Sequence, residues 1–343
     1  MGMSGGVDSS VAAALLKKTG YDVIGVTMKL HDTEQADEGC CSVSSANDAL
    51  AVAAKIGIPH YVMNFTDEFK RDVIDYFISE YKNARTPNPC TVCNKRIKFD
   101  ALLQKARGLG AKHVATGHYA KIAQKDGRYL LQRASDEKKD QTYFLYSLSQ
   151  NQLSRILMPL SDITKEKTRE IASSLGFSVA KKRDSQEICF VPDGDYAAFI
   201  ERQAGASPGG DFIFEGKKVG RHKGIIHYTV GQRKGLGIAL GEPVYITKID
   251  PKNNLIYLGA DKSRLSRELY ASDMNYIPFD APVGPFRCLA KIRYNAKASP
   301  CEVIPVNNGV RVVFDEPQNA ITPGQSVVFY DNNTVIGGGT IDA

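Results

Sequence analysis

The sequence contains no apolar run of the ~18–20 residues that a membrane-spanning helix requires. No secretory signal precedes its first motif, because a glycine-rich segment begins at Gly2. These two absences lead us to expect a cytoplasmic protein with no membrane partner. The seven cysteines are an odd number in a chain of 343 residues, which does not suit a disulfide framework. We therefore interpret them as buried fillers, metal ligands or catalytic thiols.

Positive charge is concentrated in one part of the chain. The formal net charge of +6 says little by itself, because many proteins with such a balance bind no nucleic acid. Lys217–Lys234, called the basic segment below, holds six Lys or Arg, no acidic residue, and His222 and His227. It is either a solvated loop or a surface for nucleic-acid phosphates, where cationic side chains displace condensed counterions.

The first half of the chain alternates between helical and strand patterns. We predict strands over 22–30, 60–65 and 113–116, and helices over 11–18, 45–56, 67–84 and 97–109. Such alternation predicts an α/β domain in which helices cover a parallel sheet and ligands bind at the carboxyl ends of the strands. Residues 121–133 predict a hairpin around Asp126-Gly127. After Cys189, frequent glycines and alternating segments predict short strands and a small β-barrel or sandwich.

Ser4–Ser10, called the glycine loop below, reads Ser-Gly-Gly-Val-Asp-Ser-Ser and lies directly before the first predicted helix. Glycines let successive backbone N–H groups face one anion, and a helix N-terminus adds positive partial charge, so together they bind phosphate. An ordinary helix start capped by Asp8 or Ser9 is the alternative. The loop has no lysine, unlike a Walker loop. It resembles the pyrophosphate loop of the ATP pyrophosphatase superfamily, which implies ATP cleavage between the α and β phosphates.

Three cysteines are candidates for chemistry. Cys90 and Cys93 form a Cys-x-x-Cys pair in a segment stiffened by prolines, which fits structural zinc, a redox dithiol or a nucleophile with a neighbour. Structural zinc normally needs four ligands, and no second Cys-x-x-Cys or paired-histidine motif follows. Cys189 is the third candidate. Lys181–Arg183 precede it, and cationic neighbours lower the pKa of a thiol and favour the thiolate.

Seven segments together resemble the tRNA-specific 2-thiouridylase family over nearly the whole chain. They are Gly2–Ser10, Asn88–Asn94, Ala115–Tyr119, Lys139–Phe144, Asp184–Phe190, Gly231–Leu236 and Thr322–Gln325. The resemblance implies an α/β fold with a parallel-sheet PP-loop (adenine nucleotide α-hydrolase-like) domain over 1–195. A small central domain over 196–262 and a C-terminal β-barrel over 263–343 would follow.

The resemblance also implies a reaction and its partners. ATP, with Mg²⁺, would adenylate O2 of the wobble uridine, U34, and sulfur would then replace that oxygen to give 2-thiouridine, AMP and pyrophosphate. The partners would be tRNAs of the Lys, Glu and Gln acceptor types and a protein that delivers persulfide sulfur.

Individual residues take roles from the same resemblance. The implied ATP-binding residues are Gly2, Met3, Ser4, Gly5, Gly6, Val7, Asp8, Ser9, Met28 and Gly117. The residues implied to face the target base are Asn88, Pro89 and Cys90. Those implied to contact tRNA are His118, Lys139, Asp140, Gln141, Arg293, Tyr294 and Gln325. Cys189 would carry the persulfide, and Cys93 would be the partner thiol that closes a disulfide with it. We add the basic segment as a further tRNA-contacting surface.

Two features depart from the family pattern. In the family a buried hydrophobic strand precedes the glycine loop, whereas Met1 adjoins Gly2 here, so we expect that strand to be missing and interpret Met1 as a misassigned start. Asp is common in the family where this chain has Cys90. A third thiol allows a rival mechanism in which Cys90, Cys93 and Cys189 ligate an iron–sulfur cluster whose open iron carries sulfide. The persulfide route is our preferred hypothesis.

Two other classes of function are open from sequence alone. A synthetase of the same superfamily acting on a small metabolite would account for the glycine loop, but not for the Cys93 and Cys189 pair or the barrel. The other is a non-enzymatic RNA-binding module that uses ATP or a metal only structurally. Cys40 and Cys41 are interpreted as structural or incidental, and Cys288 and Cys301 as core packing.

Overall fold

The computed structural model describes residues 1–31, 43–184 and 188–342, so Cys40, Cys41 and residues 185–187 lie outside it. The chain divides into two compact units. Unit 1 comprises Met1–Ile74, Pro89–Gly194 and Asn333–Val335, and unit 2 comprises Asp75–Asn88, Asp195–Asn332 and Ile336–Ala343. Among the described residues, no helix combines the length and apolar character needed to traverse a bilayer.

Unit 1 contains the α/β fold that the alternating pattern predicts. Its strands are β1 (Gly25–Lys29), β2 (His60–Asn64), β3 (Val114–Ala115), β4 (Ala120–Lys125), β5 (Arg128–Arg133) and β6 (Ile156–Leu157). β1 pairs in parallel with β2, and β3 pairs in parallel with β6. β4 and β5 form the predicted antiparallel hairpin, in which Asp126 and Gly127 adopt positive φ angles of 50° and 77°.

The first three residues lie between the two parallel pairs. The Val26 N–H donates to the Met1 carbonyl (2.8 Å), and the Met3 N–H donates to the Val26 carbonyl (2.8 Å). On the other side, the Gly2 N–H donates to the Ala115 carbonyl (2.9 Å). Met1–Met3 therefore bridge β1 and β3 and lead straight into the glycine loop.

The α-helices in the described part of the chain are α1 (Val7–Lys18), α2 (Val43–Ile56), α3 (Thr66–Phe69), α4 (Asp75–Lys82), α5 (Pro89–Cys93), α6 (Leu102–Gly108), α7 (Gln150–Leu153), α8 (Lys165–Ser174) and α9 (Tyr196–Ala204). Wider π-helical turns cover Lys70–Ile74 and Asn94–Ala101. In unit 1, α1 packs against α2 and α8. Val11, Ala12 and Ala13 are fully buried there, and the two small alanine side chains let the neighbouring helices approach closely.

Unit 2 begins its β structure with a four-stranded sheet. The strands are β7 (Gly210–Phe214), β8 (Lys217–His222), β9 (Tyr245–Asp250) and β10 (Leu255–Gly259), in the order β8-β7-β10-β9. Phe212 and Ile256 face each other in the parallel pair of β7 and β10, and both are fully buried. The alternating burial of β10 reflects the two-residue period of a strand with one covered face.

Six further strands, which belong to unit 2 except for the first two residues of the last one, form a β-barrel. Its strands are β11 (Leu265–Tyr276), β12 (Phe286–Lys291), β13 (Ser299–Val306), β14 (Gly309–Asn319), β15 (Ser326–Asp331) and β16 (Thr334–Ile341). They follow the order β11-β14-β13-β12-β15-β16, and pairing of Ala271 with Ile341 closes β16 onto β11. Closure satisfies the backbone groups that the two outer strands would otherwise expose. The predicted barrel is thus confirmed.

Candidate active site

The glycine loop runs directly into α1, and its hydroxyl groups fold back onto it. The Ser9 Oγ accepts a hydrogen bond from the Ser4 N–H (3.2 Å) and donates to the Gly6 carbonyl (3.2 Å). Gly6 is the N-cap of α1, so Asp8 and Ser9 lie inside the helix and the alternative in which one of them caps it is wrong. Because glycine has no capping side chain, the first N–H groups of α1 can receive an anion.

Two close approaches fix the shape of the loop. Gly5 has a φ of +67°, and a Cβ there would lie 2.8 Å from the Ser45 carbonyl carbon and closer still to its oxygen. A Cβ on Gly117 would lie 2.7 Å from the Ser9 nitrogen. Real Cβ atoms do not come this close to backbone, so both positions require glycine. The loop is therefore enclosed by the start of α2 and by the segment after β3.

Asp8, in the first turn of α1, has two strong partners. The Lys165 ammonium donates to both carboxylate oxygens, at 2.7 and 2.8 Å. The Tyr119 hydroxyl donates to Oδ1 at 2.9 Å. The same ammonium lies 2.7 Å from Oδ1 of Asp184. The first turn of α1 is thus tied through one lysine to Asp184.

Asp184 forms ion pairs with three cationic side chains. Lys139, Lys165 and Arg169 lie 2.8, 2.7 and 3.2 Å from its oxygens. Burial alone would raise the pKa of this carboxyl, but hydrogen bonds from Lys139 and Lys165 outweigh it and hold the pKa below its usual range. Asp184 is therefore ionised at neutral pH.

Lys182 reaches the glycine loop instead of serving only as a neighbour of Cys189. Its ammonium donates to the Gly5 carbonyl (3.1 Å) and to Oδ2 of Asp48 (2.8 Å). From the sequence, the expected effect of this lysine is to lower the pKa of the Cys189 thiol. In the structure, the contacts of Lys182 hold the glycine loop against α2.

The three candidate thiols all belong to unit 1 but differ in exposure. Cys90 is exposed on α5, Cys93 is 7% exposed at its end, and Cys189 is half-buried. Next to Cys93, the Asn94 amide donates to the Phe144 carbonyl (3.1 Å), which anchors the end of α5. Pro89 begins that short helix, where its missing N–H has no consequence.

The thiols do not form a metal site in this conformation. Within residues 1–31, 43–184 and 188–342, no group of three or more His, Cys, Asp or Glu side chains is arranged to hold a metal ion. A cluster site needs its thiolates gathered around one point. The iron–sulfur mechanism with Cys90, Cys93 and Cys189 as ligands therefore stays a hypothesis beside the persulfide mechanism.

The remaining residues implied to bind ATP lie near Gly2, whereas Asn88, which is implied to face the base, follows a segment held by Gln325. The Met28 side chain ends 3.9 Å from the position of a Cβ on Gly2, and Met3 is buried. In unit 2, the Gln325 amide donates to the Thr86 carbonyl (2.8 Å), just before the partly buried Asn88. Gln325, predicted to contact tRNA, thus also holds the segment that presents Asn88.

The other residues predicted to contact tRNA have mixed environments. Asp140 is buried and accepts hydrogen bonds from the hydroxyl and N–H of Thr142 (2.8 and 3.3 Å), so it shapes the following turn. Gln141 accepts from the Tyr119 N–H (2.9 Å). Arg293 donates to the carbonyls of Asn319 and Ala320, and Tyr294 lies beneath the Lys291 ammonium at 5.5 Å.

His118 is held as a neutral ring. Its Nδ1 lies 2.7 Å from the Thr116 hydroxyl. Burial, and to a lesser degree the positive charge of Lys98, holds the pKa of His118 well below its usual range. A contact with RNA through this residue would use hydrogen bonding or stacking, not charge.

The basic segment divides into surface cations and structural histidines. All six of its Lys and Arg side chains are exposed, although Lys218 pairs with Asp211 at 2.8 Å. His222 is buried and contacts the Asn254 carbonyl (3.1 Å), and His227 contacts Glu201 (3.1 Å). The cations suit a phosphate-binding surface, whereas the histidines hold the central domain together.

Lys165 and Tyr119 are parts of the site that the sequence did not predict. Lys165 lies in a run of alternating charges, Lys-Glu-Lys, that is typical of a solvated helix face, and its partners are 157 residues away and 19 residues away in sequence. Tyr119 belongs to a motif segment but had no assigned role. The sequence signal for a role in the site was its position two residues after Gly117, which is itself implied to bind ATP.

Domain models match the chain along most of its length. A model described as the tRNA methyl transferase HUP domain matches residues 1–193. One described as the tRNA methyl transferase PRC-barrel domain matches residues 197–260, and an aminomethyltransferase beta-barrel domain matches residues 266–341. The three matches follow the order of an α/β domain, a small central domain and a barrel.

Curated relatives match over the full chain. The tRNA-specific 2-thiouridylase MnmA of Clostridium acetobutylicum is 55% identical over 349 residues, covering 99% of this chain and 98% of the relative. The protein of the same name from Acetivibrio thermocellus is 53% identical, covering 99% and 98%. Among solved structures, the U34-tRNA thiolase NcsA from Methanococcus maripaludis with its 4Fe–4S cluster is 18% identical, with a TM-score of 0.35 over 60% of this chain and 65% of that one.

Proposed function

Since the chain belongs to the tRNA-specific 2-thiouridylase family, we propose that it adenylates O2 of U34 in tRNA and replaces that oxygen with sulfur from a persulfide on Cys189. The supporting observation is the glycine loop at the N-terminus of α1, in the same unit as Cys93 and Cys189. Loop and thiols supply the two halves of the chemistry, activation of oxygen and attack by sulfur.

The activation step uses ATP as a substrate, with Mg²⁺ balancing phosphate charge. O2 of the uridine attacks the α-phosphorus, the bond to the β-phosphate oxygen breaks, and pyrophosphate leaves. The N–H groups of the glycine loop and of the first turn of α1 would stabilise the departing phosphates, as the N-terminus of a helix does for an anion. A carbonyl oxygen that is a poor leaving group thereby becomes part of AMP.

Sulfur transfer then needs two thiols. The terminal sulfur of the Cys189 persulfide attacks C2 and the C2–O bond breaks, so AMP leaves with the oxygen. The Cys93 thiolate attacks the Cys189 Sγ, the S–S bond to the transferred sulfur breaks, and that sulfur stays on C2. The product on the protein side is a Cys93–Cys189 disulfide, which a thiol reductant must reopen before the next turnover.

The target base must leave its stack to be reached. Unstacking is easier in the single-stranded anticodon loop than in a duplex. We propose that Asn88, Pro89 and Cys90 face the base and that His118, Lys139–Gln141, Arg293, Tyr294 and Gln325 contact the tRNA. The Lys, Glu and Gln acceptor types, a persulfide-delivering protein and a cytoplasmic site of action are parts of the same proposal.

The function is tested by incubating the protein with ATP, Mg²⁺, a sulfur source and unmodified tRNA. Digestion and mass analysis should show 2-thiouridine at position 34, with AMP formed in equal amount. ATP omission should remove the product. Cleavage of ATP without any thiolated nucleoside from the full chain would contradict the proposal.

The basic segment gives a prediction for tRNA affinity. Reversing four of its exposed cations should weaken tRNA binding at least about tenfold. The salt dependence of binding should also become weaker. The plot of log binding constant against log salt concentration should become less steep by up to about one unit for each phosphate that is no longer neutralised. The substitutions are Lys217→Glu, Lys223→Glu, Arg233→Glu and Lys234→Glu. Filter binding over a series of salt concentrations measures both quantities.

A matched control reverses four exposed lysines elsewhere. These are Lys17→Glu, Lys18→Glu, Lys112→Glu and Lys125→Glu. The control has the same change in net charge, so long-range repulsion affects both proteins alike. Equal losses of affinity in the two proteins would show that the basic segment makes no specific contact.

A further inference from the structure

Lys165 has the environment of an internal counter-ion. It is the first residue of α8, its side chain is 10% exposed, and its N–H donates to Oδ2 of Asp136 (2.9 Å). The ammonium makes contacts of 2.7 to 2.8 Å with both oxygens of Asp8 and with Oδ1 of Asp184. An ammonium leaves water only when its donors are matched in this way.

The two carboxylates held by Lys165 serve different parts of the proposed reaction. Asp8 lies in the first turn of α1, whose N–H groups bind the nucleotide phosphates in the proposed reaction. An uncompensated carboxylate there would repel those phosphates. Asp184 lies five positions before Cys189, and its other partners, Lys139 and Arg169, also anchor it in unit 1.

We propose that Lys165 is a positioning residue with two effects. It balances the negative charge of Asp8 so that the glycine loop accepts ATP, and it fixes Asp184, five positions before Cys189, in the place that sulfur transfer requires. The second effect rests on the proposed function, whereas the first concerns ATP alone. Lys165 itself contacts neither ATP nor tRNA; it acts through the two aspartates.

The test separates ATP affinity from sulfur transfer. Lys165→Met, which keeps most of the length of the side chain but removes its charge, should raise the Kd for ATP about tenfold or more and lower thiolation at saturating ATP about tenfold. Lys165→Arg should recover most of both. Calorimetric titration with ATP and a thiolation assay on tRNA supply the two readouts, and urea unfolding gives the folded fraction of each variant.

Two further variants sharpen the result. Lys167→Met changes an exposed lysine of the same helix, paired with Glu170 on the surface, and should match the wild-type protein in both assays. Asp184→Asn keeps the pair of Lys165 and Asp8, so it should lower thiolation while ATP affinity stays within about twofold. If Asp184→Asn weakens ATP binding as much as Lys165→Met does, the assignment of separate roles is overturned.

A purely structural role predicts a different pattern. Thiolation by Lys165→Met would then fall only in proportion to the folded fraction. The Kd of the folded variant for ATP would equal that of the wild-type protein. These two results together would overturn the proposal. If the wild-type protein makes no 2-thiouridine, the proposed function fails. The titration with ATP still decides whether Lys165 serves the glycine loop.

Discussion

Replacing Gly5 with alanine is expected to abolish useful ATP binding while leaving most of the fold intact. The new Cβ would overlap the Ser45 carbonyl, and the φ of +67° is unfavourable for any residue with a Cβ. Relieving that overlap must move the loop away from α2, and with it the N–H groups that face the phosphates. We expect the Kd for ATP to rise about 100-fold, equivalent to about 3 kcal/mol.

Gly57→Ala is the matched control for this prediction. Gly57 has a φ of +69°, almost the value of Gly5, but a Cβ there would meet nothing within 4 Å. The control therefore carries the backbone strain of about 1 kcal/mol without the collision. Titration with ATP and thermal unfolding should be measured on both variants. If Gly5→Ala binds ATP as Gly57→Ala does, the shape of the loop does not govern nucleotide binding.

Replacing Cys189 with serine is expected to lower the rate of thiolation at least about 10³-fold, because the hydroxyl cannot carry a persulfide. The Kd for ATP should stay within about twofold, since Cys189 takes no part in the glycine loop. Cys93→Ser should also stop turnover, but it should accumulate tRNA joined to Cys189 through sulfur, because the thiol that releases the product is gone. Denaturing gels and nucleoside mass analysis distinguish the two variants.

Cys288→Ser is the control thiol. Cys288 lies on β12 opposite the buried Cys301, with 3.7 Å between the two Sγ atoms, far in the sequence from the proposed chemistry. Thiolation by this variant should match the wild type. A large loss in Cys288→Ser, or full activity in Cys189→Ser, would contradict the assignment of the persulfide to Cys189.

Cys90→Ser separates the persulfide from the cluster mechanism. A persulfide on Cys189 does not need the Cys90 thiol, so we expect a loss of thiolation below about tenfold, due only to altered contact with the base. An iron–sulfur cluster would lose a ligand, and both bound iron and activity would disappear together. Iron analysis of anaerobically purified protein accompanies the activity measurement.

The sequence was most informative where local pattern determines structure. The helices predicted over 11–18 and 45–56 lie within α1 and α2, because spacing of apolar residues and glycine stops mark such elements. The hairpin at Asp126-Gly127 follows from turn chemistry. The helix predicted over 67–84 is interrupted by the π-helical turn at Lys70–Ile74, which a pattern of 3.6 residues per turn does not reveal.

Long-range charge pairing was beyond the sequence. Lys165 meets Asp8 across 157 positions, and Lys182 meets Asp48 across 134, so no local pattern joins them. The motifs located the glycine loop and the cysteines but not what surrounds them. The two histidines of the basic segment were grouped with its surface cations because they lie among them in the sequence. In the structure both make internal contacts instead.

The fate of the oxygen that leaves C2 decides whether ATP activates the uridine carbonyl. An anticodon stem–loop synthesised with ¹⁸O at O2 of U34 is incubated with the protein, ATP, Mg²⁺ and a sulfur source for a single turnover. If ATP activates that oxygen, one ¹⁸O atom appears in the phosphoryl group of AMP for each 2-thiouridine formed. Thiolation with unlabelled AMP, or with the label released as water, would contradict adenylation of the uridine carbonyl.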